Sequence, residues 1–191
     1  MDELEYAITT GDATNPREGT LKLGIRGMGN TRTGGWVAYD DAEAAFGDMG
    51  FGFSIPSEVY GQVPTDFLVI DAGFRRCLSI GYREGSRKAG EVRHMSSRPI
   101  AIVQKSRDGM PPGVRTDTSQ NRHNIEMSGH VVTVCGNGGV TTARWKMTDP
   151  DTGLTWHYYA TVEMPLSDED LLGLIRQFDE DLVWNRPKSV M

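Results

Sequence analysis

The feature that most constrains this chain is a run of strict alternation in its last third. Leu154, Trp156, Tyr158, Ala160 and Val162 fall on one side, and Thr155, His157, Tyr159, Thr161 and Glu163 on the other. Successive side chains of an extended strand point to opposite faces, so this segment fits a half-buried β-strand and cannot make the one-sided apolar stripe of a helix. Upstream, Val132 and Val134 alternate with Val131, Thr133 and Cys135. The turn-forming Asn137-Gly138-Gly139 follows, and then Ala143, Trp145 and Met147 alternate with Arg144 and Lys146. With Asp149-Pro150-Asp151-Thr152-Gly153 as the second turn, the three segments form an antiparallel meander.

The same period recurs earlier. Phe67 to Ile70 reads as a strand, and after Asp71-Ala72-Gly73 a second places Phe74, Arg76, Leu78, Ile80 and Tyr82 on one face, giving a hairpin. Ile100 to Val103 is another strand. Residues 1–39 form an arm with one or two strands, at Leu21 to Arg26 and around Trp36, Val37 and Tyr39. The stretch from Ser106 to Asn121 holds Pro111-Pro112-Gly113 and no apolar period, which marks a long surface loop.

Two helices interrupt this pattern. Asp40 stands where a capping residue belongs before Ala42 to Phe46, with Gly47 as the stop. Ser167 caps the second helix, with Asp168, Glu169 and Asp170 in its electropositive first turn. Leu171, Leu174, Ile175, Phe178 and Leu182 then make an apolar stripe that must lie on something, and the face carrying Trp145, Trp156 and Tyr158 is the partner expected. The expected fold class is α+β, an antiparallel sheet of about six to eight strands with both helices packed against one face. The sheet-plus-helix domain covers residues 40–184, after the arm and before a tail at 185–191.

Composition narrows the function classes. With 191 residues, 38% of them apolar, the chain can bury one self-sufficient core. Only two cysteines are present, so a disulfide-dense scaffold is excluded. No run approaches the roughly 20 apolar residues of a membrane-spanning helix, and no charged-then-apolar leader opens the sequence. The balance of 26 acidic against 20 basic residues argues against nucleic acid as a partner, since phosphate binding calls for a basic stripe.

Few residues stand out as chemistry. Cys77 and Cys135 each alternate with apolar neighbours, so both point to the second face of the sheet. A disulfide there would close a loop of about 60 residues, worth about 4 kcal/mol by chain entropy, while two separate thiols packing as small hydrophobes is the alternative. His94, His123, His130 and His157 show no metal-ligand spacing, and no cofactor or metal is expected. Asp149, Asp151 and Gly153 imitate the opening of a calcium loop, but the bidentate Glu that must close it does not appear, so the segment reads as a hairpin turn. Arg83, Arg87 and Lys88 begin a basic run that continues to Arg98, either a solvated loop or a contact for an anion or acidic partner. Thr155, His157 and Tyr159 either line a ligand groove or are covered by the N-terminal arm.

The order of elements, with Gly50-Phe51-Gly52-Phe53-Ser54-Ile55-Pro56 after the first helix, Leu78-Ser79-Ile80-Gly81-Tyr82, Val131 to Gly136, Trp145, Tyr158-Tyr159 and Leu166 to Leu172, resembles a bacterial family of unknown function. That family occurs in the outer portions of anti-sigma-factor-like proteins and in lipoproteins of Gram-positive bacteria. The resemblance spans roughly residues 42–180. It implies a curved antiparallel sheet with helices on one side, usually outside the membrane, and supplies no catalytic residues. Location follows as extracytoplasmic if the sequence is a trimmed piece and cytoplasmic otherwise. The function expected is a non-enzymatic sensing or binding module that meets a partner protein or an apolar small ligand. Two other readings stay open. One is an enzyme that gathers two or more of His123, His130, His157, Cys135 and a carboxylate only in three dimensions. The other is an immunity or inhibitor protein for a basic target.

Overall fold

The structure is a computed structural model and describes residues 4–9, 18–25, 31–71, 75–83, 99–107, 109, 111, 121–137 and 139–178. Strands β1 (Leu4–Thr9), β2 (Glu18–Ile25) and β3 (Thr31–Tyr39) precede helix α1 (Ala42–Met49). Then come β4 (Val63–Asp71), β5 (Arg76–Arg83), β6 (Ala101–Ser106), β7 (Asn121–Met127), β8 (His130–Asn137), β9 (Val140–Thr148), β10 (Thr155–Val162) and helix α2 (Asp168–Phe178). All ten strands join one antiparallel sheet in the order β1-β2-β3-β4-β5-β6-β10-β9-β8-β7. No helix among the described residues is long and apolar enough to cross a membrane.

Two meanders therefore meet at the β6–β10 pairing, where Val103 sits opposite Ala160 and Lys105 opposite Tyr158. The expected three-stranded unit is present as β8, β9 and β10, and so is the β4–β5 hairpin. The strand count exceeds the six to eight expected. The arm contributes three strands, and β7 lies within residues 121–127, just past the polar stretch expected to be loop. The tail 185–191 and most of that polar stretch lie outside the described residues.

Alternation sorts the side chains into two faces. On the first, Leu78, Ile80 and Tyr82 of β5 align with Val103 and Ala101 of β6, then Tyr158, Ala160 and Val162 of β10, Trp145 and Ala143 of β9, and Val132 and Val134 of β8. These residues form the main buried cluster, together with Ala45 of α1 and Leu171, Leu174, Ile175 and Phe178 of α2. The Phe178 ring meets Tyr82 edge-on at 5.7 Å and Phe53 at 6.4 Å, and the α2 stripe shares its buried cluster with Trp145 and Tyr158, with Trp156 packed against it. Trp145 stacks on Tyr158, with ring centres 5.0 Å apart and planes within 5°.

Both helices are bounded by local chemistry, though one boundary differs from expectation. The α1 cap is Asp41, not Asp40: its carboxylate accepts from the Ala44 N–H at 2.8 Å. The helix runs through Gly47 and stops at Gly50, whose left-handed backbone (φ +70°) returns its N–H to the Phe46 carbonyl at 2.8 Å. The Ser167 hydroxyl accepts from the Asp170 N–H at 3.1 Å and donates to the Asp170 carboxylate at 2.6 Å. Where the register shifts between Pro64 and Asp66, the Asp66 carboxylate lies over Gly81, and a methyl group there would come within 3.0 Å of the Asp66 Cβ.

A candidate binding face on the sheet

The second face is divided. On β3 to β5 it is apolar, with Trp36, Ala38, Leu68, Ile70 and Cys77 forming a smaller cluster. On β6, β10, β9 and β8 it turns polar. One cross-strand row reads Cys77, Ser106, His157, Lys146, and the next reads Ser79, Gln104, Tyr159, Arg144, Thr133, Asn124. The strongest strand of the sequence is the middle of this surface, and Thr155, His157 and Tyr159 lie on it together.

Burial grades across these rows. Ser79, Gln104, Ser106 and Tyr159 are buried. The Gln104 amide donates to the Ser79 hydroxyl at 3.3 Å, and the Ser106 hydroxyl donates to the Arg76 carbonyl at 2.8 Å. Toward the Thr155 end the surface opens. Thr155 and His157 are half-buried, Thr155 exchanges a hydroxyl hydrogen bond with Thr148 at 3.0 Å, and Lys146 is exposed. Arg144 and His157 therefore stand half-open beside a buried polar floor, with Lys146 at the rim.

The electrostatics are one-signed. His157 is held below the usual imidazole range, first by burial and then by the positive charges of Lys146 and Arg75. Among the described residues neither Arg144 nor Lys146 forms an ion pair. The carboxylates of Asp66 and Glu126 lie farther out on this face, on β4 and β7, rather than between these cations. A region of like charge, in which the charged form of the imidazole is disfavoured, is one that an anion would relieve.

The other expected site residues are dispersed. Arg83 donates through Nε to the buried Asp66 carboxylate at 2.6 Å, so it neutralises an internal charge rather than standing open for a ligand. Arg87 and Lys88 lie outside the described residues. The disulfide is not formed: both cysteines are free and buried. They do share a face, but β6, β10 and β9 separate them, about 19 Å at the usual strand spacing. Burial also pushes the Cys77 thiol up, which disfavours a thiolate. Cys77 and His157 lie in one row with Ser106 between them, about 10 Å apart.

The three described histidines do not converge, and His94 lies outside the described residues. His123 and His130 take the core-side parity of β7 and β8, opposite to that of His157 and Cys135. His123 instead pairs through Nε2 with Asp168 at 2.8 Å, which raises its affinity for a proton and ties the start of α2 to β7. Among the described residues no group of three or more His, Cys, Asp or Glu is placed to hold a metal ion. The Asp149 segment is a hairpin turn. Its carboxylate accepts from the Asp151 N–H at 2.8 Å and the Thr152 N–H at 3.3 Å, and the Thr152 side chain first, with these backbone contacts, holds it below the usual carboxylate range.

One site-like feature carried no sequence signal. Lys105 is buried, donates to the Gly52 carbonyl at 2.8 Å, and lies 4.6 Å from the Trp156 ring centre, 5.3 Å from Tyr158 and 5.8 Å from Phe51. It fastens the chain after α1 to the core face by cation–π contact and one hydrogen bond. The alternation of Val103 and Lys105 would have placed it inward, had a charged residue been admitted to the core.

Comparison with known proteins finds no family model, no curated protein and no solved structure that matches this chain.

Proposed function

We propose that the protein is a non-enzymatic binding module whose polar sheet face receives an acidic segment of a protein partner. The observation that carries this reading is the Arg144, Lys146 and His157 group beside the buried floor of Tyr159, Gln104 and Ser79. Arg144 and Lys146 are cations that no described carboxylate neutralises, and they stand on β9 next to His157 on the adjacent strand β10. Arg supplies directional donors for carboxylates, Lys a compact charge, and Thr148 and Thr155 add hydroxyls at the open rim. On this reading the sheet is curved and both helices lie on its apolar side, leaving the polar side for recognition. Support comes from the helix residues, Ala45 and Leu171 to Phe178, which cluster with the first face alone.

The polar, charged character favours an acidic partner over an apolar small ligand. The absence of a converged nucleophile, base or oxyanion donor among the described residues favours binding over catalysis.

The test is a titration of the 15N-labelled full chain with polyglutamate, followed by amide shifts. Shifts confined to Thr155, His157, Tyr159, Arg144, Lys146 and their neighbours, weakened by salt, are expected. The Arg144→Glu/Lys146→Glu variant should bind at least about tenfold more weakly with its fold intact. Shifts spread over other surfaces, or binding unchanged in that variant, would overturn the reading.

A further inference from the structure

Strand β7 ends the sheet, and among the described residues no strand pairs with its outer edge. It is regular: its register with β8 runs unbroken from Asn121 opposite Gly136 to Met127 opposite His130. Exposed edges are commonly guarded by proline, a bulge or charge, because their unpaired N–H and C=O groups invite another strand. Here the strand reads Asn121-Arg122-His123-Asn124-Ile125-Glu126-Met127, with no proline and no bulge. Arg122 and Glu126, each one residue in from an end, are opposite in sign and equally distant from Asn124. Both are exposed and both lie on the second face of the sheet, and neither forms an ion pair among the described residues.

That spacing is self-complementary. We propose that β7 pairs antiparallel with β7 of a second copy of this chain, centred on Asn124. In this register residue positions on the two strands add to a constant, so Arg122 faces the second copy's Glu126 and Glu126 faces its Arg122. His123 faces Ile125, and Asn121 faces Met127. Centring one position earlier or later sets Arg122 or Glu126 opposite Asn124 and leaves the other charge without its mate. A slip by one residue sum would lay the core side of one copy beside the solvent side of the other.

The pairing is isologous, so each complementary contact occurs twice and assembly closes at two copies. The two-fold axis runs perpendicular to the sheet, and the polar faces of both copies lie on the same side of one continuous surface. This inference stands on β7 alone and is independent of the acidic-partner reading.

Sedimentation velocity of the full chain over a concentration series tests it, with circular dichroism to confirm that each variant is folded. A reversible monomer–dimer equilibrium that loosens with salt is expected. Arg122→Glu and Glu126→Arg each turn two attractive pairs into two repulsive ones, and each should raise the dissociation constant about tenfold or more. An equimolar mixture of the two variants restores both contacts between unlike chains and should dimerise as the unaltered protein does. The double variant Arg122→Glu/Glu126→Arg should dimerise with itself for the same reason. A chain monomeric up to the millimolar range would overturn the proposal. So would open-ended oligomers, single variants that dimerise unchanged, or a mixture and a double variant that both stay monomeric.

Discussion

Truncating Phe178 to alanine tests whether α2 belongs to the core. Phe178 is 1% exposed, and its ring lies 5.7 Å from Tyr82 and 6.4 Å from Phe53, two residues brought together from β5 and the segment after α1. Removing a buried phenylalanine costs about 3–5 kcal/mol, the sum of lost transfer energy and an incompletely filled cavity. The edge-on pair with Tyr82 contributes about 0.5–1.5 kcal/mol of this. For a chain of this size the loss corresponds to a fall in Tm of about 6–20 °C. Urea unfolding followed by far-ultraviolet circular dichroism should show the midpoint fall with the slope unchanged. Leu172, half-buried on the same helix, provides the control: Leu172→Ala should cost distinctly less. Phe178 is the last residue of α2, where a frayed helix would carry little energy. A loss below about 1 kcal/mol would therefore mean that the helix end does not pack on Tyr82 and Phe53, and the reasoning would fail.

Replacing Lys105 by methionine keeps the stem but removes the donor to the Gly52 carbonyl and the charge beside Trp156, and should destabilise by about 1–3 kcal/mol with a shift in tryptophan emission. The two shifted histidines should act on stability in opposite senses. The His123–Asp168 contact contributes fully below the ordinary value of 6.5 and fades as pH rises through the raised native value, so the unaltered protein's advantage over Asp168→Asn should be larger in mild acid than in mild alkali. His157, held below 6.5, contributes above that value, and its contribution is lost as pH falls through the depressed native value. In Lys146→Gln an NMR titration should move His157 back upward.

Much of the fold could be read from residues whose surroundings are simple. The β10 strand alternates cleanly because one face lies in the core and the other does not, and Ser167 announces α2 because a capping hydroxyl needs no tertiary partner. Strand β7 was hidden for the opposite reason. At the sheet's edge Asn121, Arg122, His123, Asn124 and Glu126 are all exposed, so no apolar period marks it. The two aspartates at the start of α1 compete for one cap, and only backbone direction decides for Asp41. For the candidate site, periodicity sufficed to put Thr155, His157 and Tyr159 on one face. It could not supply Arg144, Lys146 or Gln104, because cross-strand rows depend on register between distant segments. The same limit misleads for the cysteines: alternation gives each its face, but the order β5-β6-β10-β9-β8 keeps them apart.

Register also shows why a chain with net charge −6 can offer a cationic surface. Many of its carboxylates are committed elsewhere: Asp41, Glu43 and Asp48 belong to α1 and its cap, and Asp168, Glu169 and Asp170 to the first turn of α2, where the helix dipole favours them. If both helices lie over the apolar face, as proposed above, the sheet stands between these charges and Arg144, Lys146 and His157. A helix layer packs about 10 Å from a sheet, comparable to the screening length of about 8 Å at physiological salt. A partner arriving at the polar face would then respond to the local cations more than to the distant helices, while the overall negative charge would still slow acidic partners from afar. Added salt should consequently weaken the bound state by screening the short contacts while removing part of the long-range repulsion to approach. The dissociation rate should rise more steeply with ionic strength than the association rate falls, the reverse of a complex steered by net charge.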